Sequence, residues 1–274
     1  MILENDIERI QNELSIFEKI VFIEESHRYL IDGEPSSKLS VTRAVKLFKK
    51  EFELEKMASR VAAKTGSTVI QIKEEWEKNR EYSALLGTML HKYIECFYTK
   101  QEFDIKKFDI ILDYDKKLKL KETLPTLINQ FHNFYDENQH LLPIRNELVL
   151  GDLNDTKICG TVDMLAYNTK TNELEILDFK TNKKMQQVTS FGNLFYPFDN
   201  LTEGEINEYS IQLNTYKYFL ESYTNLKVNK LKIIWFNSQN PSYQIFELKD
   251  FQQKMPLMLN KIKVDALFQE ESIL

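Results

Sequence analysis

The chain is poor in cysteine, glycine and proline. Cys96 and Cys159 are its only cysteines, too few for a disulfide framework, a four-cysteine zinc site or an iron–sulfur cluster held by four cysteines. The 7 glycines and 6 prolines are scattered over 274 residues, so no linker or low-complexity tract divides the chain. We therefore expect two buried thiols and one continuous domain, with an N-terminal elaboration over residues 1–80 and a core over residues 81–274.

Long apolar runs and an excess of positive charge are also missing. The apolar stretches are short and interrupted by charge, and residues 1–6 lack the pattern of a secretory signal. We expect a cytoplasmic protein with no membrane partner. The net charge of −6 argues against holding nucleic acid by bulk charge alone, but it leaves room for a basic groove beside an acidic, metal-filled site.

Hydrophobic periodicity changes character near Pro143. Before it, the pattern predicts a hairpin over residues 21–33, a helix capped by Ser40, and further helices up to Lys100 and over 122–139. After it come predicted strands and two predicted helices: strands over 144–150, 157–167, 173–181, 231–236 and 243–248, with helices over about 207–223 and at the C terminus. This order predicts an α/β domain with a mixed sheet covered by helices.

Two charged residues interrupt the apolar strand Ile176-Leu-Asp-Phe-Lys-Thr181. Because side chains alternate along a strand, Asp178 and Lys180 share one face, with Cα atoms roughly 6.6 Å apart. An isolated Asp-x-Lys is common and is more often a surface ion pair. The apolar flanks favour a functional interpretation.

The register of the predicted hairpin brings a second acid to this pair. If the turn is centred between Lys170 and Thr171, Asp163 lies opposite Asp178. Facing carboxylates have Cβ atoms about 4.5–5.5 Å apart and destabilise a sheet unless their charge is neutralised. A divalent cation would neutralise it, and oxygen ligands favour Mg²⁺ or Mn²⁺ over zinc. Lys180 would then orient or deprotonate a water, or stabilise a phosphate charge.

A polar stripe follows the predicted helix around residues 85–97. Gly87, His91 and Glu95 are spaced i, i+4, i+8 and share one face. Gly87 costs about 1 kcal/mol of helix stability relative to alanine, which suggests a close approach of backbone or DNA. A lone helical histidine is more often an ordinary polar or packed residue. Beside Gly87, His91 is predicted to be a nitrogen ligand of the metal, with Glu95 as a ligand or a partner of one.

Five further residues have weaker signals. Glu147 lies on a predicted strand, where a solvent-facing acid and a metal ligand are equally good interpretations. Gln212 and Tyr216 share a helical face; core packing explains Tyr216, whereas Gln212 suits contact with a phosphate or base edge. Lys183 and Lys184 follow the Asp-x-Lys strand and suit the DNA backbone.

Aromatic residues are dense between residues 185 and 205. These are Phe191, Phe195, Tyr196 and Phe198. Stacking on unpaired bases would contribute about 1–3 kcal/mol per base. Packing onto the sheet explains them equally well.

Four short motifs, in this order, resemble the PD-(D/E)xK nuclease superfamily. The resemblance is to its RecB-like branch, which includes lambda-type exonucleases and the mitochondrial genome maintenance exonuclease. The motifs are Gly87-Thr-Met-Leu-His-Lys-Tyr-Ile-Glu95, Gly160-Thr-Val-Asp163, Ile176-Leu-Asp-Phe-Lys-Thr181 and Gln212-Leu-Asn-Thr-Tyr216. The resemblance implies a restriction-endonuclease-like mixed central sheet flanked by helices, with a helical N-terminal elaboration, and a metal-dependent phosphodiesterase.

The resemblance also implies roles for individual residues. Asp163 and Asp178 would bind Mg²⁺ or Mn²⁺, and the Phe179 carbonyl and His91 would complete the metal shell. Lys180 would position the attacking water.

DNA contacts are implied for Gln212, Tyr216 and Thr181, with single- or double-stranded DNA as the substrate and recombination or replication proteins as candidate partners. No iron–sulfur cluster is expected, and without a G-x-x-x-x-G-K-[ST] motif no nucleotide cofactor is expected. The leading hypothesis is a DNA exonuclease. A structure-selective endonuclease on the same fold and a non-catalytic nucleic-acid-binding or inhibitory module remain as alternatives; the motifs do not encode polarity, strand preference or oligomeric state.

Overall fold

The computed structural model describes residues 2–108, 110–186 and 192–271. The first half holds a small antiparallel sheet and five helices: α1 (Ile2–Leu14), β1 (Ile20–Ile23), β2 (Arg28–Ile31), β3 (Glu34–Pro35), α2 (Val41–Lys46), α3 (Leu54–Thr65), α4 (Val69–Thr99) and α5 (Tyr114–Glu137). The second half holds the main sheet and two helices: β4 (Leu141–Gly151), β5 (Cys159–Asn168), β6 (Glu173–Lys180), α6 (Glu205–Tyr223), β7 (Val228–Trp235), β8 (Gln244–Glu247) and α7 (Met255–Glu271).

The main sheet is mixed and has the strand order β4-β5-β6-β7-β8. All neighbours are antiparallel except β6 and β7, which are parallel and are joined through α6. A parallel pair needs such a crossover, because its strands start at the same edge of the sheet. The predicted mixed α/β class is confirmed at this level, and each predicted strand after Pro143 overlaps an observed one.

The β5–β6 hairpin has the register that the sequence predicted. Met164 pairs with Leu177, as a turn centred between Lys170 and Thr171 requires. The main-chain ladder ends at this pair. Asp163 is therefore the first residue of β5 beyond its ladder with β6.

Two apolar clusters cover the two faces of the main sheet. The cluster under α6 also takes in the N-terminal region and includes Leu14, Ile31, Ile176 and Leu213. The cluster under α4 and α5 includes Leu90, Phe131, Leu177 and Phe179. Because consecutive residues of β6 belong to opposite clusters, this strand is buried on both faces. The boundary predicted after residue 80 falls inside α4, and the N-terminal region shares its core with the sheet.

Local signals agree with the observed helix starts. Ser40 caps α2, with its Oγ accepting the Arg43 N–H at 3.4 Å. This helix ends at Lys46. Both cysteines are buried, and burial raises the pKa of the Cys159 thiol to about 12. Within the described residues, none of the helices is both long and apolar enough to cross a membrane.

The contact between α6 and β5 depends on Gly160. A Cβ atom added there would lie 2.7 Å from Tyr216 Oη and 2.8 Å from Cε1 of the same ring. The Tyr216 ring is only 2% exposed and is surrounded by core residues. It therefore has little room to move away from a larger residue.

We expect Gly160→Ala to lower the free energy of unfolding by about 1–3 kcal/mol, because it overpacks a buried contact. Urea denaturation measures this change. Gly87→Ala in α4 is the matched control: its added Cβ would have Thr181 Oγ1 as its nearest neighbour, at 3.4 Å. Removing a glycine from a helix interior should stabilise this control by up to about 1 kcal/mol. Equal stability of Gly160→Ala and the wild type would contradict the packing described here.

Candidate metal centre

Three side chains from three different elements converge where the β5–β6 ladder ends. His91 of α4, Glu147 of β4 and Asp163 of β5 each offer one ligand atom, and these atoms lie within 4.8 Å of one another. The donors are one imidazole nitrogen and two carboxylate oxygens. Such a set suits a divalent cation.

Strand β5 changes its side-chain alternation at Asp163. Val162 packs in the cluster under α6, whereas Met164 packs in the cluster under α4 and α5. A regular strand would place these two residues on the same face. The irregularity lies at the acid between them, and regular alternation does not predict it.

Strand β4 has a matching irregularity at Glu147. Its neighbours Asn146 and Leu148 pair with Met164 and Val162 of β5, so the register continues across Glu147 and places it opposite Asp163. Glu147 itself makes no ladder pair and has a left-handed φ of 49°. This backbone costs a non-glycine residue about 1–2 kcal/mol, and such residues are concentrated at functional sites. The sequence left Glu147 open between a surface acid and a ligand, and the structure places it in the cluster. The available signal was Asn146, a polar residue where alternation calls for an apolar one.

The main chain of Phe179 is held from both sides. Asp163 Oδ2 accepts the Phe179 N–H at 2.6 Å, so a carboxylate takes the place of a main-chain partner. His91 Nε2 lies 2.8 Å from the Phe179 carbonyl oxygen and donates to it, since a carbonyl only accepts. His91 Nδ1 is 3.5 Å from Asp163 Oδ1. The two groups that the resemblance assigns to one metal are thus bonded to each other, and metal binding by both would require this hydrogen bond to break.

Asp178 and Lys180 form a buried ion pair on the α6 side of the sheet. The Lys180 ammonium contacts Asp178 Oδ2 directly. Burial and the charge of Asp163 raise the pKa of Asp178 to about 6. The Lys180 Nζ lies 5.0 Å from the centre of the Tyr209 ring.

The pKa of Lys180 is raised on balance. Burial lowers this pKa, but the charges of Asp178 and Asp163 raise it by more than burial lowers it. The ammonium therefore stays charged in this state. Of the three roles expected for Lys180, orienting a water and stabilising a phosphate charge agree with this, whereas deprotonating a water does not.

Negative charge is in excess at the cluster. The side chain of Glu147 is partly open to solvent, but the surrounding protein desolvates its carboxyl group and raises its pKa to about 8, with further contributions from the charges of Asp163, Glu95 and Asp178. A carboxyl group with this pKa is mostly protonated at neutral pH. The site therefore takes up protons when no cation is bound.

Glu95 lies beside the cluster and is paired elsewhere. Its carboxylate accepts from Lys92 Nζ at 2.7 Å, and it acts on Glu147 through its charge. This placement agrees with a role beside the ligands. Thr181 lies against Gly87, so the bare patch on α4 accommodates a side chain of the chain itself.

The structure places the two predicted DNA contacts of α6 inside the protein. Tyr216 packs on Gly160, and Gln212 Nε2 is 3.5 Å from Tyr216 Oη. Gln212 is only 9% exposed. The core covers the Tyr216 ring, which is 2% exposed, so contact with DNA would require the core around it to open; Gln212 is largely covered as well.

The lysines after β6 do face solvent. Lys183 and Lys184 are both exposed. Their loop is anchored to β7, since Trp235 Nε1 donates to the Asn182 carbonyl at 2.8 Å. These two lysines are free to contact a DNA backbone.

The aromatic loop is divided between surface and core. Phe195 and Tyr196 are 43% and 57% exposed, whereas Phe198 is buried edge-on against Phe48, with ring centres 5.4 Å apart. Stacking on bases is therefore open to the first two residues only. Phe191 lies outside the described residues.

Comparisons with known proteins add little to this geometry. No family model matches the chain, and no curated protein matches it. One similar solved structure is titled "Crystal structure of SSO0001". It has a TM-score of 0.37 and 13% sequence identity, with 97% of this chain and 86% of that chain covered. A likeness at this level carries no argument about fold or function.

In metal-free protein, we expect Glu147→Gln to raise the Tm at pH 8 and to leave it nearly unchanged at pH 4.5. The pKa of Glu147 rises from 4.5 to about 8 on folding, so the folded state binds the proton more tightly than the unfolded state. The free energy of unfolding of the wild type therefore falls as the pH rises through this range, and the amide removes that loss.

Circular dichroism in EDTA at the two pH values measures this effect. Glu122→Gln, at an exposed position of α5, is the control and should have the same Tm as the wild type at both. A Tm increase for Glu147→Gln of equal size at pH 4.5 and pH 8 would contradict the charge crowding.

Proposed function

We propose that the protein is a metal-dependent deoxyribonuclease on a restriction-endonuclease-like fold, acting as an exonuclease in DNA recombination, repair or replication. The observation that carries the proposal is the meeting of His91, Glu147 and Asp163 at the place where the buried Asp178–Lys180 pair begins. The first three residues come from three elements, and β6 supplies the pair. An ordinary surface ion pair would not need this convergence.

The residues fit a divalent cation. Three acceptor groups meet beside the end of the β5–β6 ladder, namely the two cluster carboxylates and the imidazole of His91. Asp178, whose buried Oδ2 contacts the Lys180 ammonium, is a further acid next to them. Carboxylates suit Mg²⁺ and Mn²⁺, and Mn²⁺ also accepts an imidazole. When bound, such an ion neutralises charge on a phosphate and lowers the pKa of a bound water.

The protein's own groups have separate tasks in this proposal. Lys180 keeps its positive charge and orients a water or stabilises charge on the scissile phosphate. Asp178 and the Tyr209 ring hold the ammonium in place. Asp163 fixes the backbone of Phe179, which keeps the end of β6 in register with the cluster.

Charge at the site makes DNA binding dependent on the cation. The charges of Asp163 and Asp178 beside one lysine would repel a phosphate, whereas the exposed Lys183 and Lys184 attract it a few residues further along the chain. The cation and the two lysines together would bind the phosphates of one DNA strand. DNA binding should therefore be weak in EDTA.

An endonuclease on the same fold shares every feature above. End-labelled linear DNA and covalently closed circular DNA distinguish the two activities, because only an endonuclease cuts the circle. A non-catalytic binding module is the less favoured alternative, since Asp163, Asp178 and Lys180 are all intact.

We expect Lys180→Met to lower Mg²⁺- or Mn²⁺-dependent hydrolysis of DNA by about 100-fold or more, because the charge that acts on the phosphate or the water is lost. Release of label from linear DNA measures the rate, with EDTA as the blank. A variant that is folded and as active as the wild type would contradict the proposed role.

Lys232→Met is the matched control on the same sheet. Lys232 forms a buried ion pair with Glu175, near the opposite end of β6 from the cluster. Breaking this pair leaves a buried charge unpaired and should lower stability strongly. At a temperature where it remains folded, this control should hydrolyse DNA at the wild-type rate.

A further inference from the structure

A cavity of about 860 Å³ opens beside the metal centre. His91 of α4 and Glu147 of β4 line one part of it. Another wall contains Phe22 of β1 and His27 of the turn between β1 and β2. This turn belongs to the N-terminal elaboration and has no part in the metal cluster.

The rings of Phe22 and His27 are stacked in this wall. Their planes are within 8° of parallel, with centres 5.9 Å apart. His27 is exposed and has a left-handed φ of 49°, a conformation that favours glycine or asparagine. His27 thus places a planar ring at the cavity wall, although its backbone conformation favours glycine or asparagine, which have no ring.

The stack has a fixed position relative to the metal centre. Phe22 pairs across the hairpin with Tyr29, and their ring centres are 4.8 Å apart. Tyr29 Oη is 3.1 Å from Thr161 Oγ1 on β5, two positions before Asp163 along the same strand. Any ligand that stacks on His27 is therefore held at a constant distance from the cluster.

The charges around the stack exclude a phosphate but not a base. Acids at the rim of the cavity outnumber its lysines: Glu24, Glu25, Glu95, Glu102 and Asp104 against Lys92 and Lys107. A continuing sugar–phosphate chain would be repelled there. A neutral, flat nucleobase meets an aromatic face instead, and stacking on such a face does not depend on the base.

We infer that the Phe22–His27 stack is a subsite for the unpaired terminal base of a DNA strand whose neighbouring phosphate lies at the metal centre. The inference rests on the proposed nuclease function and deepens it. It makes a frayed or single-stranded end the substrate. The acidic rim stops the strand from running through, which favours exonuclease over endonuclease action.

The test uses single-stranded oligonucleotides with 2-aminopurine as the terminal base, at the 5′ end in one and at the 3′ end in the other. Ca²⁺ replaces Mg²⁺ so that binding is measured without relying on hydrolysis. Stacking should quench the fluorescence of one of the two probes. His27→Asn keeps a residue that tolerates the left-handed backbone but removes the ring, and it should weaken binding by about 5- to 100-fold.

Two controls isolate the stack. His140→Asn makes the same substitution just before β4, at the opposite end of the strand from the cluster, and should bind like the wild type. An oligonucleotide with an abasic terminal position should bind the wild type and His27→Asn equally. Equal binding of the intact probes by wild type and His27→Asn, or no binding by either, would overturn the subsite.

Failure of the subsite and failure of the nuclease proposal give different results. Hydrolysis with Mg²⁺ that does not depend on His27, together with unquenched probes, overturns the subsite alone. Quenching that depends on His27, without hydrolysis under Mg²⁺ or Mn²⁺, supports the subsite and overturns the nuclease.

Discussion

Asp163 and Asp178 carry like charges close together where the β5–β6 ladder ends, and these charges repel each other. Several neighbouring groups reduce this repulsion. Asp163 receives a backbone N–H of β6, and Asp178 receives the Lys180 ammonium. Glu147 adds a third carboxyl group; desolvation and the neighbouring acids raise its pKa to about 8, although the charge of Lys92 lowers it in part. Such a site is under-neutralised unless protons or a cation are bound, and this excess charge is the physical basis of the proposed metal-dependent activity.

Regular strand pairing is interrupted over a short stretch of the sheet at the acidic cluster. The β5–β6 ladder stops at Met164, and Glu147 on the other neighbour of β5 adopts a left-handed backbone. The carboxylates of Glu147 and Asp163 meet the imidazole of His91 at this stretch. The apolar clusters on the two faces of the sheet hold the irregular backbone in place.

The sequence predicted the regular parts of this design. Period-two alternation and a turn rich in asparagine and threonine were enough to set the hairpin register, and Ser40 marked a helix start. They left Glu147 open between a surface acid and a ligand, because the irregular backbone there has no glycine or proline to signal it. For Tyr216 they offered core packing and DNA contact, and the pattern does not reveal that Gly160 provides the space for its ring.

Contacts between distant parts of the chain were the hardest to foresee. The hydrogen bond from His91 to Phe179 links α4 to β6, and only the resemblance placed these two residues together. The stacked pair on the β1–β2 turn lacked even that signal, and His27 alone reads as an ordinary surface histidine. Its significance comes from the cavity that it shares with the cluster, which depends on how the hairpin packs on β5.

Anomalous diffraction from crystals soaked in Mn²⁺ tests the central claim most directly. The account predicts a peak at coordination distance from a carboxylate oxygen of Asp163, with His91, Glu147 or Asp178 completing the shell. It also predicts that the hydrogen bond between His91 and the Phe179 carbonyl is broken where both atoms bind the ion. A map with no peak at this cluster, at a Mn²⁺ concentration that marks other acids of the protein, would contradict the account.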